Sequence, residues 1–186
     1  MSLQQTIQIK PGWNWVSFCL KNIQIKNTEI TCLDNDVVLN SGDLIIKSKS
    51  QTAFYYSINS WLGNLKILNP DIFISEQSQL YLIYSNHTIN FKVFGESINS
   101  TNYILGLEWT WIGYPFSQDT VNINNISTNV PFYKGDIIKS ATQTAYYCGS
   151  ELGWIGIKFL RKGEGYMYYH NSEDNIIPDN LCEPEP

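Results

Sequence analysis

Apolar and polar residues come in short runs along this chain, and Gly, Asn, Asp or Pro cuts each run before a helical period is established. The runs are rich in Ile, Val, Tyr, Trp, Phe and Thr, residues that fit a pleated, half-buried surface. The pattern predicts strands over residues 6–9, 13–20, 44–47, 52–56, 65–68, 80–84 and 89–94. Lys10-Pro11-Gly12 predicts a turn, and residues 48–51 the bend of a hairpin. Weaker strands are expected near 23–25 and 37–39. A second series is expected over 103–105, 109–114, 137–148 (a hairpin), from Gly153-Trp154 onward, and over 165–169.

The second series repeats the first. Gly42-Asp43-Leu44-Ile45-Ile46-Lys47-Ser48 returns as Gly135-Asp136-Ile137-Ile138-Lys139-Ser140, and Gln51-Thr52-Ala53 returns as Gln143-Thr144-Ala145. Trp13-Asn14-Trp15 returns as Trp109-Thr110-Trp111, and Trp61-Leu62-Gly63 as Trp154-Ile155-Gly156. Matched blocks in the same order point to an internal duplication. The expected architecture is all-β, with two tandem, homologous antiparallel sandwich or barrel-like modules at 1–97 and 98–172. An acidic, Pro-containing tail follows at 173–186. No long linker separates the modules, and the join is expected near 95–101.

Aromatic residues are the main candidates for function. In a strand, residues i and i+2 share a face, so Trp13 and Trp15 point one way, as do Trp109 and Trp111. Such a pair serves as a sugar platform or as the floor of a core. The opposite face is apolar too (Val16, Phe18), so a buried floor is the expected role. Trp61 and Trp154 each follow a polar turn and precede a Gly by two residues, which suggests close backbone approach or a bulge that aims the ring. They are expected either at an exposed loop edge or, equally, folded as lids over their own modules. With Tyr56, Tyr146 and Tyr168 they make up the candidate binding surface.

No catalytic residue is expected. Asp43 and Asp136 follow Gly at matched positions, one acid per repeat, and read as turn caps. The repeated Lys47-Ser48 and Lys139-Ser140 pairs place neighbours on opposite strand faces, where a nucleophile and its base cannot meet.

Composition narrows the field. Hydrophobic residues make up 43% of the chain and aromatic residues 14%, enough for a packed core. Only 16% of residues are charged, so solubility leans on Asn, Ser, Thr and Gln. The net charge is −5, and only Lys158, Arg161 and Lys162 cluster, so nucleic-acid binding is not expected. No apolar run approaches the ~20 residues of a membrane helix, and no membrane insertion is expected. Residues 1–6 lack a basic or apolar leader segment, and no signal peptide is expected. Cys19, Cys32, Cys148 and Cys182 form no CxxC pair and do not match between repeats, so free thiols are expected. His87 and His170 are the only histidines, and zinc-ligand spacing is absent, so no metal or cofactor is expected.

Gly12-Trp13-Asn14-Trp15-Val16-Ser17, then Gly42-Asp43 with Ile46-Lys47-Ser48, then Trp61-Leu62-Gly63, resembles a β module with a GWNWIS…GDIIKS…GWxG…GxGY pattern. Modules of this kind look like appendages of large secreted, cell-surface and phage or viral structural proteins. Gly163-Glu164-Gly165-Tyr166 matches the closing Gly-x-Gly-Tyr turn, whereas the first copy departs from it over 76–81. The resemblance spans nearly the whole chain apart from the variable stretches and the tail. It implies a fold module and brings no catalytic residues. The expected function is that of a non-enzymatic structural or interaction protein, a component of a virion (capsid or tail) or of a surface assembly, with Tyr/Trp-rich β surfaces binding neighbouring subunits. The alternative is a lectin-like carbohydrate-binding module. A glycan site calls for a concave aromatic surface with a polar rim, and a subunit contact for flat apolar patches.

Overall fold

A computed structural model of the chain describes residues 3–34, 37–58, 60–65, 67–68, 71–74, 79–98, 102–103, 105–106, 109–114, 118–171 and 182. The protein is all-β: among the described residues, its regular structure is strand apart from one 3-10 turn, Ile123–Asn125. Among them, no helix is long and apolar enough to cross a membrane. Most of the expected tail, and residues 99–101 of the expected join, lie outside the described residues.

Two five-stranded sheets build the N-terminal half. One runs in the order β1 (Leu3–Ile9), β10 (Ile89–Ser97), β3 (Leu20–Cys32), β8 (Asp71–Ile74), β7 (Ile67–Leu68). The other runs β2 (Gly12–Ser17), β9 (Leu80–Ser85), β4 (Leu44–Lys47), β5 (Thr52–Ser57), β6 (Ser60–Gly63). All their pairings are antiparallel. Alternation decides what is buried: Ile89, Phe91 and Val93 turn inward from β10, and Ala53, Tyr55 and Trp61 from β5 and β6. Both sheets feed one apolar cluster. Each large apolar side chain buried there contributes about 1.5–3 kcal/mol.

The C-terminal half has its own cluster, which includes Tyr114, Ile138, Leu160, Tyr166 and Tyr168. Its main sheet runs β12 (Trp109–Ile112), β19 (Tyr166–Tyr169), β15 (Ile137–Lys139), β16 (Thr144–Tyr147), β17 (Trp154–Ile155). Two small sheets accompany it. One is the parallel pair β11 (Asn102–Tyr103) with β14 (Ser127–Thr128), and the other the antiparallel pair β13 (Thr120–Asn122) with β18 (Phe159–Arg161).

The β2 sheet and the β12 sheet have the same strand order and the same register. Ile46 faces Ala53, Lys47 faces Thr52 and Tyr55 faces Trp61. Ile138 faces Ala145, Lys139 faces Thr144 and Tyr147 faces Trp154 in the same way. The turns agree as well. Asp43 Oδ2 accepts Asn40 N–H at 2.6 Å, and Asp136 Oδ2 accepts Tyr133 N–H at 2.8 Å. Ser48 Oγ accepts Gln51 N–H at 3.1 Å, and Ser140 Oγ accepts Gln143 N–H at 3.0 Å. These side chains close turns, the role expected of the aspartates.

Two expectations need correction. First, β3 runs unbroken over Leu20–Cys32, where only 23–25 read as strand, and no strand covers 37–39. Its polar residues are tolerated because β10 and β8 supply hydrogen bonds along its edges. Second, Cys148 and Cys182 form a disulfide, whereas Cys19 and Cys32 are free. Matching the repeats could not reveal this bond, because Cys182 lies in the tail, outside either repeat.

Candidate functional site

β2 lies at the end of its sheet, so one edge of the strand has no partner within that sheet. The C-terminal half covers this edge. Ser17 N–H donates to Gly163 O at 3.0 Å, Gly165 N–H donates to Trp15 O at 3.2 Å, and Val16 forms a β-bridge with Glu164. Ser17 is fully buried there; its hydroxyl donates to Glu164 O at 2.7 Å and accepts Tyr114 N–H at 2.9 Å. A side chain at Gly165 would collide with Leu80 and the Val16 carbonyl, so glycine permits the approach.

Trp13 and Trp15 share the β2 face that carries Ser17. Beyond the junction this face opens into a groove of about 800 Å³ between the two halves. β1 and the β1–β2 turn supply Gln5, Thr6, Gln8 and Lys10 to its lining. The C-terminal half supplies Asp119, Ser140, Thr142, Arg161, Lys162 and Glu164. The walls are therefore indole on one side, and amide, hydroxyl and charged groups of both signs on the others. Three contacts hold the geometry. Asn14 Nδ2 donates to Lys10 O at 2.8 Å and pins the turn. Lys162 N–H donates to Asp119 O at 2.9 Å. Tyr166 Oη donates to the Glu164 carboxylate at 2.9 Å, which fixes that acid.

The double tryptophan takes the opposite place from that expected. Trp13 is 53% exposed and Trp15 half-buried, so the double tryptophan is a surface feature in β2. Val16, on the other face, supplies the buried contact. Trp13 packs on its cross-strand partner Tyr84, ring centroids 5.3 Å apart. Trp109 packs on Tyr169 at the same distance, but there Lys139 Nζ lies over the indole, 4.9 Å from its centroid. No such cation covers Trp13 among the described residues.

Trp61 and Trp154 lie in the cores, 1% and 4% exposed, and are not surface aromatics. The reason is parity. Each pairs across the strands with an inward tyrosine, Tyr55 or Tyr147, and cross-strand partners share a face. Trp61 meets Tyr55 edge-on at 5.5 Å, and Trp154 meets Phe132 edge-on at 5.3 Å. Tyr168 is likewise buried, and its hydroxyl donates to Asp136. Tyr56 is exposed and Tyr146 half-buried on outer faces, so the five candidate residues form no single surface.

Comparisons with protein-family models, with curated proteins and with solved structures yield no match to this chain.

Proposed function

We propose that this chain is a non-enzymatic binding protein of a virion or surface assembly, built from two homologous β modules in tandem, and that it takes oligosaccharide in the groove between them. The observation that carries the glycan reading is the placement of Trp13 and Trp15 along one wall of a concave site with a polar rim. The C–H face of a pyranose packs on an indole. Its hydroxyls pair with the amides, hydroxyls and acids that face it.

The tandem reading is supported by matched strand order, matched register and two separate apolar clusters. The resemblance to modules of secreted, cell-surface and phage or viral structural proteins supports the setting. So does the Cys148–Cys182 disulfide, which suits an oxidising environment.

A second reading, contact with a neighbouring protein subunit, is favoured by a different face. Tyr56, Val38 and Ile58 are exposed around a groove of about 520 Å³ lined by both apolar and polar groups. Phe54 and Leu62, paired across β5 and β6, are exposed on the outer face at the end of the same sheet.

One experiment separates the two. The wild-type chain is screened on a glycan array, and the best hit is titrated by calorimetry against Trp13→Ala, Trp15→Ala and Leu62→Ser. The expected result is binding that weakens at least tenfold, about 1.4 kcal/mol, in both tryptophan variants and holds in Leu62→Ser. An array without hits, or binding indifferent to Trp13→Ala, overturns the glycan reading. Self-association lost in Leu62→Ser would favour the second.

A further inference from the structure

We infer that Cys32, Asp34 and His87 form a zinc site that ties the end of β3 to the β9–β10 turn. The pairing of β3 with β10 sets Cys32 opposite Ile89. Just beyond, Leu33 N–H donates to Thr88 O at 2.8 Å, and Thr88 N–H donates to Asp34 Oδ2 at 3.2 Å. These bonds hold the segment after β3 against the turn that carries His87. A thiol, a carboxylate and an imidazole are thereby gathered, with ligand atoms all within 4.8 Å of one another. Among the described residues, no other group of this kind occurs.

The geometry is close to what zinc requires. With bonds of about 2.1 Å to nitrogen and oxygen, the edge of a tetrahedral site is about 3.4 Å. His87 Nδ1 stands 3.4 Å from Asp34 Oδ2. Cys32 Sγ makes only a weak contact to Thr88 O, 3.8 Å away, and lies within 4.8 Å of both other ligand atoms. Cys32 and His87 are half-buried, and Asp34 is exposed, its side chain retaining 45% of its exposure. The exposure of Asp34 leaves the cluster open to water as a fourth ligand.

The far side of the imidazole is prepared as well. His87 Nε2 faces Asp43 Oδ2 at 3.8 Å. Asp43 is itself fixed by Asn40 N–H at 2.6 Å and Asn86 Nδ2 at 2.7 Å. At 3.8 Å the carboxylate is beyond hydrogen-bond reach of that nitrogen and acts on the ring through its charge. One thiolate and one carboxylate offset the charge of a divalent ion, and the Cys32 proton is released to solvent on binding. A thiolate with an imidazole selects zinc over magnesium or calcium.

The C-terminal half offers an internal contrast. His170 Nδ1 lies 3.3 Å from Asp136 Oδ1, but Tyr133 N–H, Tyr168 Oη and Asn171 N–H already bond that carboxylate, and no thiol joins the pair among the described residues. The site is independent of the glycan reading. Local sequence spacing misses it because strand pairing, not a CxxC motif, brings the ligands together.

The test is titration of the metal-free chain with cobalt(II) as a spectroscopic probe, then competition with zinc. The expected result is a thiolate-to-cobalt charge-transfer band that zinc abolishes. Cys32→Ser should remove the band, Asp34→Ala and His87→Gln should weaken zinc binding at least tenfold, and Cys19→Ser should change nothing. Zinc should also raise the melting temperature of the wild type and not that of Cys32→Ser. No charge-transfer band overturns the inference, as does a band that persists in Cys32→Ser. If Cys32→Ser fails to fold, zinc affinity unchanged in both Asp34→Ala and His87→Gln overturns it instead.

Discussion

Gly63 and Gly156 follow their tryptophans by two residues and show what a single residue type does here. Both have positive φ, +133° and +106°, and a Cβ on either would run into the carbonyl oxygen of Thr52 or Thr144. The glycine lets its strand close over Ala53 or Ala145, and the tryptophan is carried inward with it. Gly63→Ala is expected to cost about 2–3 kcal/mol, since backbone strain and overpacking act together. Gly42→Ala, where φ is +84° but space is open, should cost about 1 kcal/mol. Urea midpoints of the two variants check the order, and a Gly63→Ala as stable as Gly42→Ala would remove this account. The sequence showed that the backbone comes close at this glycine. It did not show which way the ring turns, because that depends on the cross-strand partner.

At the scale of elements, repeated strings marked the hairpins β4–β5 and β15–β16 and their capping residues directly. The outward turn of Trp13 and Trp15 was not legible. A strand apolar on both faces reads as central, yet β2 is an edge strand whose second face is covered partly by the other half and partly by a groove. The one clue was Gly163-Glu164-Gly165-Tyr166, present only in the second copy. Its glycines are the docking point on β2. Ser17 is the side chain that joins the two. Ser17→Ala leaves Tyr114 N–H without its acceptor in a buried place, at a cost of about 1–3 kcal/mol. The variant should lose hydrogen-exchange protection at Ser17 and Gly165 while strands β4 and β5 keep theirs. Unchanged exchange at the junction would show that the contact carries no stability.

For the whole molecule, the main sheets of the two halves share strand order and register, while their side chains differ in chemistry. Position 83 is Ile where the matched position 168 is Tyr, facing Ile46 and Ile138 respectively. The C-terminal core is the richer in phenols: Tyr103, Tyr114, Tyr166 and Tyr168 are all at most 2% exposed, whereas the N-terminal core buries Tyr55 and Tyr81. Burial raises the pKa of each above the ordinary tyrosine range, and the bond to the Asp136 carboxylate raises Tyr168 further. In the N-terminal half, burial raises Tyr55 in the same sense. A folded chain thus keeps these protons above pH ~10, where an unfolded chain releases them. The unfolded state then binds fewer protons, so stability is full below about pH 10 and falls as pH rises further, by up to about 1.4 kcal/mol per pH unit for each such phenol. Four buried phenols against two, Tyr55 and Tyr81, place the greater loss in the C-terminal half. On raising the pH from neutrality past that point, amide protection over residues 137–169 should fail before protection over 44–57, and phenolate absorbance from the buried rings should appear only with that loss. Equal loss in both halves, or phenolate signal from an intact core, would mean that the buried tyrosines do not set the alkaline limit of the fold.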